Sequence, residues 1–437
     1  MTLPLFIQAL RRFVPLLAMG LHLSAWASSS ASEPAPELWL GSWAAAPQPA
    51  MAGKPAHYQN QTLRLIVHTS AGGEQVRIKL ANTYGKVPLA IGSVHIARRL
   101  TGADIDPASD RVLTFAGQPA PVIPAGATWT SDPVDLKVPA LVDLAISLFL
   151  PAATDATTSH FMALQTSYVS TANGDATAAA SFPVGGETAS WPFLTGVEVM
   201  AGTHGATVVA FGDSVIDGDG ATSDSNHRWP DILARRLQAQ AGWGGEVGVL
   251  NLGIIGNRLL HGSPQGASNP AGPALGEAGL LRFERDVLQQ CKVKAVIIRL
   301  GTNDIGLPGN LAPRHERVSV RALIAAYREL IARAHAQGIR VIGTTAPPFE
   351  GTDLAPGYYT ARKEAQRQQF NAWMRRTDEF DAVLDFDRVL RDPKHPRRLL
   401  PSYDSGDHLH PNDAGYLALG ESIPLTLFRD LSVTINN

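Results

Sequence analysis

The sequence predicts two architectures in one chain: a small doubly wound α/β fold with a parallel sheet, preceded by an all-β sandwich. Three observations carry this. From Thr207 onward short apolar runs alternate with helical stretches, the pattern of parallel strands covered by helices on both faces. Before it, over about 38–201, apolar and polar residues alternate in short runs bounded by proline and glycine. The chain has 437 residues, and at about 150 residues per domain that suits two or three domains.

Composition narrows the class. Hydrophobic residues make up 45% and charged residues 17%, the latter below the roughly 25% of ordinary globular chains, which argues against charge-driven disorder. Gly 40 and Pro 31 stay well short of the roughly 25–30% of low-complexity sequence. A net charge of -2 with no basic block argues against a nucleic-acid partner.

Residues 1–27 read as a signal peptide. Arg11-Arg12 precede the apolar run 13–26, which closes on Ala25-Trp26-Ala27, a small-x-small cleavage pattern. A retained membrane anchor is the alternative, but Pro15 and His22 interrupt a run already short of the roughly 20 residues a span needs. The expectation is a secreted or periplasmic protein with no membrane span in the mature chain. Its one cysteine, Cys291, allows no intramolecular disulfide and is expected to be a buried, inert thiol. Residues 28–37, rich in Ser, Ala and Pro, form a linker.

Within 38–201, Leu63, Leu65 and Val67 alternate with Arg64 and His68, Gly72-Gly73 marks a turn, and Val76, Ile78 and Leu80 alternate with Arg77 and Lys79. This predicts a hairpin with one buried face. Further strands are expected at 134–138 and 144–148, bounded by Pro133, Pro139 and Pro151. Trp39, Trp43 and Trp129 are either core aromatics or platforms for sugar rings.

Over 202–437, strands are expected at 207–211, 247–252, 295–300, 340–344 and 382–386. Val320, Leu323, Ile324, Tyr327, Leu330, Ile331 and Ala334 recur at three- and four-residue steps and stop before Gly338, which predicts an amphipathic helix.

In an open α/β sheet the chemistry lies at the carboxyl ends of the strands. After the first strand stands Gly212-Asp213-Ser214, where a serine on a tight turn is either a nucleophile or a helix cap. Ile216 in place of a second glycine disfavours the ordinary α/β-hydrolase elbow. The second strand runs into Asn251 and then Gly256, a backbone donor or a simple turn. The third leads to Gly301-Thr302-Asn303-Asp304, where the Asn303 amide is an oxyanion donor or an Asx turn. Near the end, Asp407 precedes His410 by three residues, as an acid orienting a general base would. Asp407, His408, His410 and Asp413 as metal ligands form the alternative.

The conjunction of Ser214, Gly256, Asn303 and His410 at successive sheet-edge positions resembles the SGNH hydrolase superfamily, or GDSL esterases. Gly212-Asp213-Ser214 matches its nucleophile block, with Val215 in place of the commonest leucine. The stretches 251–256, 301–303 and 407–410 match the other three blocks. Arg228-Trp229-Pro230-Asp231, Asp385-Phe386-Asp387 and Asp404-Ser405-Gly406-Asp407 are similar to a bacterial branch around xylanase-associated acetyl esterases. The amino-terminal β region looks like the one preceding the hydrolase domain in that branch.

The resemblance implies a flavodoxin-like sheet, a Ser214 nucleophile, His410 as base oriented by Asp407, and an oxyanion hole of the Ser214 and Gly256 N–H groups with the Asn303 side chain. It implies no metal and no organic cofactor. The expected activity is hydrolysis of short acyl esters, acetyl first, with a small-molecule or plant-polysaccharide substrate. Ile254, Ile255 and the Pro347-Pro348-Phe349 turn are the few apolar residues expected at the pocket. An acyltransferase on the same site, a lipase or arylesterase, and a non-enzymatic carbohydrate-binding protein are the alternatives.

Overall fold

A computed structural model describes residues 39–51, 55–171, 174–202, 204–240, 246–264 and 269–431. The residues expected as signal peptide and linker lie outside the described residues, and the described residues belong to one compact unit.

The longer strands of the amino-terminal region are β1 (Trp39–Ala44), β2 (Gln61–His68), β3 (Gly73–Ala81), β4 (Ser93–Thr101), β5 (Thr128–Thr130), β6 (Val134–Val138), β7 (Asp143–Leu150), β8 (Ser167–Ser170), β9 (Val184–Thr188) and β10 (Leu194–Met200). They form two antiparallel sheets. One runs β1-β10-β3-β5, with β6 also on β3, and the other runs β9-β8-β2-β7-β4. Alternate residues of both, including Leu65 and Ile146 from one and Ile78 and Val197 from the other, meet in a single core.

The expected hairpin is not formed. β2 pairs with β7 and β8, whereas β3 pairs with β10, β5 and β6. The connection crosses from one sheet to the other, so both apolar faces bury against each other across the core instead of lying side by side. Its backbone is satisfied elsewhere: the Thr69 N–H donates to Val142 O at 2.9 Å and the Ser70 N–H to Ser42 O at 2.8 Å. Nor is the Arg64 face of β2 solvated. Arg64 is fully buried and donates to Ser147 Oγ (3.0 Å) and the carbonyls of Ala103 (2.8 Å) and Thr177 (3.0 Å).

The second half carries β11 (Ala206–Gly212), β12 (Val247–Gly253), β13 (Val293–Arg299), β14 (Arg340–Thr344) and β15 (Ala382–Leu384). These are the five expected strands, with no end moved by more than two residues. All pair in parallel, in the order β12-β11-β13-β14-β15. The apolar runs bury on both faces because successive side chains point opposite ways. Val209 and Phe211 enter one core and Val208 and Ala210 the other.

The helices used below are α1 (Ser214–Asp217), α2 (Trp229–Gln238), α3 (Thr302–Gly306), α4 (Val320–His335), α5 (Ala361–Met374) and α6 (Asp413–Ser422). α4 starts where Ser319 Oγ accepts the Ala322 N–H at 3.1 Å, and it buries Leu323, Tyr327, Leu330, Ile331 and Ala334.

The two halves share a seam. β1 lies against β12 so closely that a Cβ on Gly248 would overlap the Gly41 carbonyl oxygen, a close approach that glycine alone permits. The Gly41 N–H donates to Thr207 Oγ1 (3.1 Å) and the Val249 N–H to Ser70 Oγ (2.8 Å). Ala44 and Ala46 enter the same core as Leu250 and Leu252.

Candidate active site

Ser214 is the first residue of α1, immediately beyond β11. The capping role open for this motif falls to its neighbour: Asp213 Oδ1 accepts the Val215 N–H at 3.2 Å. Ser214 Oγ is thereby left to His410, lying 2.8 Å from Nε2, and His410 Nδ1 lies 2.5 Å from Asp407 Oδ2. The three-residue spacing of Asp407 and His410 has a local cause. Asp407 Oδ1 accepts the N–H groups of Leu409 (2.9 Å) and His410 (2.8 Å), folding the loop around the carboxylate that then faces the ring.

The electrostatics suit proton transfer from the serine. Burial pulls His410 down, but the hydrogen bond to Asp407 and the charges of Asp219, Asp407 and Asp213 outweigh it, and the ring sits above its ordinary 6.5. Burial alone would raise Asp407. The His410 ring and the two backbone N–H groups instead hold it well below the usual carboxylate range. Asp407 is therefore ionised near neutrality and meets the ring as a carboxylate.

Three donors follow β11, β12 and β13 in turn. The Ser214 N–H lies at the amino end of α1. Gly256 takes a positive φ of 69° in the turn after β12, a conformation costly for other residues. Asn303 lies in α3 after β13, and its amide is fixed at both ends: Nδ2 donates to Asn257 O at 3.1 Å and Oδ1 accepts the Tyr358 hydroxyl at 2.7 Å. The Asx-turn alternative thus fails for Asn303. The neighbouring Asp304 is the loop anchor, accepting the N–H groups of Leu259 (2.7 Å) and Leu260 (2.9 Å).

Residues 210–418 match the GDSL-like Lipase/Acylhydrolase family. This segment is a GDSL-like lipase/acylhydrolase domain. Its class is that of carboxylic ester hydrolases. No curated protein matches the chain. Among solved structures, the chain is similar to the M. Smegmatis aryl esterase (18% identity, 52% of this chain and 99% of that chain, TM-score 0.38). It is similar to a mutant acetyl-xylooligosaccharide esterase from Geobacillus Stearmophilus (19% identity, 53% and 96%, TM-score 0.37). A carbohydrate esterase family 2 enzyme plus carbohydrate binding domain from Corynascus thermopiles is similar over 90% of this chain and 99% of that chain, at 16% identity and a TM-score of 0.38. At identities and scores this low, none of these likenesses bears on the substrate.

The acylhydrolase domain supports its site with residues that the motifs did not reveal. Arg282, fully buried, donates to Gly212 O (2.7 Å) and Leu252 O (3.0 Å) at the ends of β11 and β12, to Asn257 Oδ1 (3.0 Å) and to Asp286 (2.9 Å). Asn251 Nδ2 donates to Ile216 O at 2.7 Å, tying the second block to α1. Asp219 places Oδ2 3.6 Å from His410 Nε2. Two flanking glycines, Gly218 and Gly220, were the one sequence signal for Asp219. Arg282 lies among Leu281 and Phe283 with no motif around it.

The metal alternative is taken apart by the pairing of its members. His408 Nδ1 lies 2.5 Å from Asp404, and Asp413 accepts the Thr222 N–H (2.8 Å) and faces His227 (2.8 Å). Among the described residues, no group of three His, Cys, Asp or Glu side chains is placed to share an ion. No described helix is long and apolar enough to cross a membrane.

Of the two readings open for the tryptophans the structure favours core packing, and Cys291 departs from its expectation. Trp43 is buried edge-on to Trp191 (4.8 Å between ring centres), Trp39 lies under the Arg77 guanidinium (4.3 Å), and Trp129 packs on the core. None of the three is an open sugar platform. Cys291 is half-buried rather than enclosed in apolar surroundings. Its thiol donates to Glu198 Oε1 at 3.0 Å, in a cluster with Arg77 and Lys79 at the seam.

Proposed function

We propose that the protein is a secreted or periplasmic serine esterase that removes short acyl groups, acetyl first, from an alcohol such as a polysaccharide hydroxyl. The observation that carries the reading is the line Ser214 Oγ, His410, Asp407, with separations of 2.8 and 2.5 Å. Ser214 Oγ attacks the ester carbonyl while its proton passes to His410 Nε2. The carbonyl oxygen becomes an oxyanion facing the Ser214 N–H, the Gly256 N–H and Asn303 Nδ2, donors that matter most in the transition state. The intermediate collapses as Nε2–H protonates the leaving alcohol, and water repeats the sequence on the acyl-serine. Each step uses only groups of the chain, substrate and water.

The strand order, second-first-third-fourth-fifth, supports the flavodoxin-like reading, in which ligands sit where the order reverses. Ser214 follows β11 and Asn303 follows β13, the first and third strands of this sheet, which flank that point. The short-acyl preference has its own support. Ile254, Pro347, Pro348 and Phe349, considered as pocket lining, are buried, which leaves Ile255 half-exposed and little apolar surface for a long chain. The basic pair and apolar run within 1–27 support export.

The test is a fluorophosphonate probe with mass spectrometry of the labelled peptide, beside acetate release from acetylated xylan. An adduct on Ser214, acetate release, and rates unchanged by EDTA are expected. No adduct in folded protein would overturn the mechanism. Transfer of acetyl to an added sugar in place of acetate release would overturn hydrolysis as the outcome.

A further inference from the structure

His160 belongs to the β-rich half, yet its side chain ends in the acylhydrolase domain. It is 3% exposed, as is Asp217. His160 Nδ1 lies 3.0 Å from Ala46 O and Nε2 lies 2.9 Å from Asp217 Oδ1. Both neighbours are acceptors, and a neutral imidazole has a single N–H, so the doubly protonated ring is the form that donates to both. Burial pulls the ring's pKa down, whereas Asp217 and the Ala46 carbonyl raise it and prevail, against a small opposing effect of Arg228. Such a buried pair is costly to form and costly to break by removing one member.

Asp217 is the last residue of α1, the helix that opens with Ser214. Its other oxygen, Oδ2, accepts the Ile255 N–H at 3.0 Å. One carboxylate therefore touches the nucleophile helix, the turn that presents Gly256, and the β-rich half. We infer that His160 is a positioning residue: by anchoring Asp217 it fixes the separation between the Ser214 turn and the Gly256 turn, making the β-rich half part of the oxyanion site's scaffold. This rests on the roles proposed above for Ser214 and Gly256. The ring never touches substrate and acts through Asp217 alone. Displacements of about 1 Å far from the chemistry can cost about a hundredfold in rate, so a loosened anchor is expected to appear in kcat.

Two neutral variants separate the contacts. In His160→Gln the amide nitrogen occupies the place of Nε2 and still reaches Asp217. In His160→Asn it occupies the place of Nδ1 and reaches only Ala46. With p-nitrophenyl acetate, His160→Asn should lower kcat about 10- to 100-fold with KM within about twofold and unchanged circular dichroism. His160→Gln should hold kcat within about threefold. Wild-type kcat in both variants, or equal losses in both, would overturn the inference. If His160→Asn does not fold, hydrogen exchange at the Ile255 amide decides. A folded His160→Gln with near-normal kcat and slow, wild-type exchange supports the anchor, and fast exchange at unchanged kcat overturns it. Fluorophosphonate labelling of Ser214 in the wild type keeps the outcomes distinct: labelled Ser214 beside a fully active His160→Asn sinks this inference alone, whereas unlabelled Ser214 sinks the esterase mechanism.

Discussion

The Tyr358 hydroxyl donates to Asn303 Oδ1 across 2.7 Å, inside the protein, where both side chains are buried. Because the carbonyl end of the amide is held there, Nδ2 is the end that donates to Asn257 O, one residue beyond Gly256. Burial raises the Tyr358 phenol well above its ordinary 10, so it remains a donor across the working pH range. Asn303→Ala should lower kcat by about 10²–10³ with little change in KM or fold. Tyr358→Phe, which keeps the amide and loses its orienting bond, should cost about 3–10-fold. Steady-state kinetics on p-nitrophenyl acetate checks both, and a near-normal Asn303→Ala would remove Asn303 from the oxyanion site.

The pH dependence follows from His410. Only the neutral ring accepts the Ser214 proton, so kcat/KM should fall as pH drops through the free enzyme's His410 pKa, which lies above 6.5. Asp219 contributes to that elevation from 3.6 Å. Asp219→Asn removes a negative charge that favours the protonated ring, so the acid limb should move to lower pH. A pH profile of wild type and variant reads the shift directly. Movement to higher pH would contradict the assigned role of Asp219.

Arg282 gives a stability prediction. In Arg282→Met, Gly212 O and Leu252 O lose a donor and Asp286 loses one of its two cationic partners, the other being Arg285 at 2.7 Å. Loss of one partner of a buried pair costs about 3–5 kcal/mol, and the remaining Arg285 places the expectation near the lower figure. Denaturant titration followed by circular dichroism measures it. A loss under about 1 kcal/mol would mean that water or Arg285 replaces the missing donor.

Acyl-chain length tests the pocket. With Ile254 and Phe349 committed to the core, reactivity on p-nitrophenyl esters should decline steadily beyond about four acyl carbons, as added methylenes find no room. A maximum at about eight or more carbons, without acetate release from acetylated xylan, would replace the short-acyl assignment and leave the serine chemistry untouched.

What the sequence revealed has a physical pattern. Strands such as Arg340–Thr344 and the helix Val320–His335 were legible because burial on one or both faces imposes a local period. The candidate residues Ser214, Gly256 and Asn303 were legible because their motifs follow successive strands, and Asp407 and His410 because a three-residue spacing closes a local loop. The pairing of Gln61–His68 and Gly73–Ala81 was not, since alternation specifies a buried face and not the sheet across which it is buried. Arg64, Arg282 and His160 escaped for a related reason. A buried charged side chain is satisfied by carbonyls and carboxylates distant in the chain, as Arg64 is by Thr177 and His160 by Asp217, and no local pattern announces such partners.

The contact of Gly41 with Gly248 makes residue 202 a poor place to cut. An excised carboxyl-terminal half would present the bare flank of Val247–Gly253, with Leu250 and Leu252 stripped of Ala44 and Ala46, as an open edge ready to pair with another chain. Such a fragment is expected to aggregate. The intact protein, by contrast, should melt in one calorimetric transition, with the two halves losing structure together.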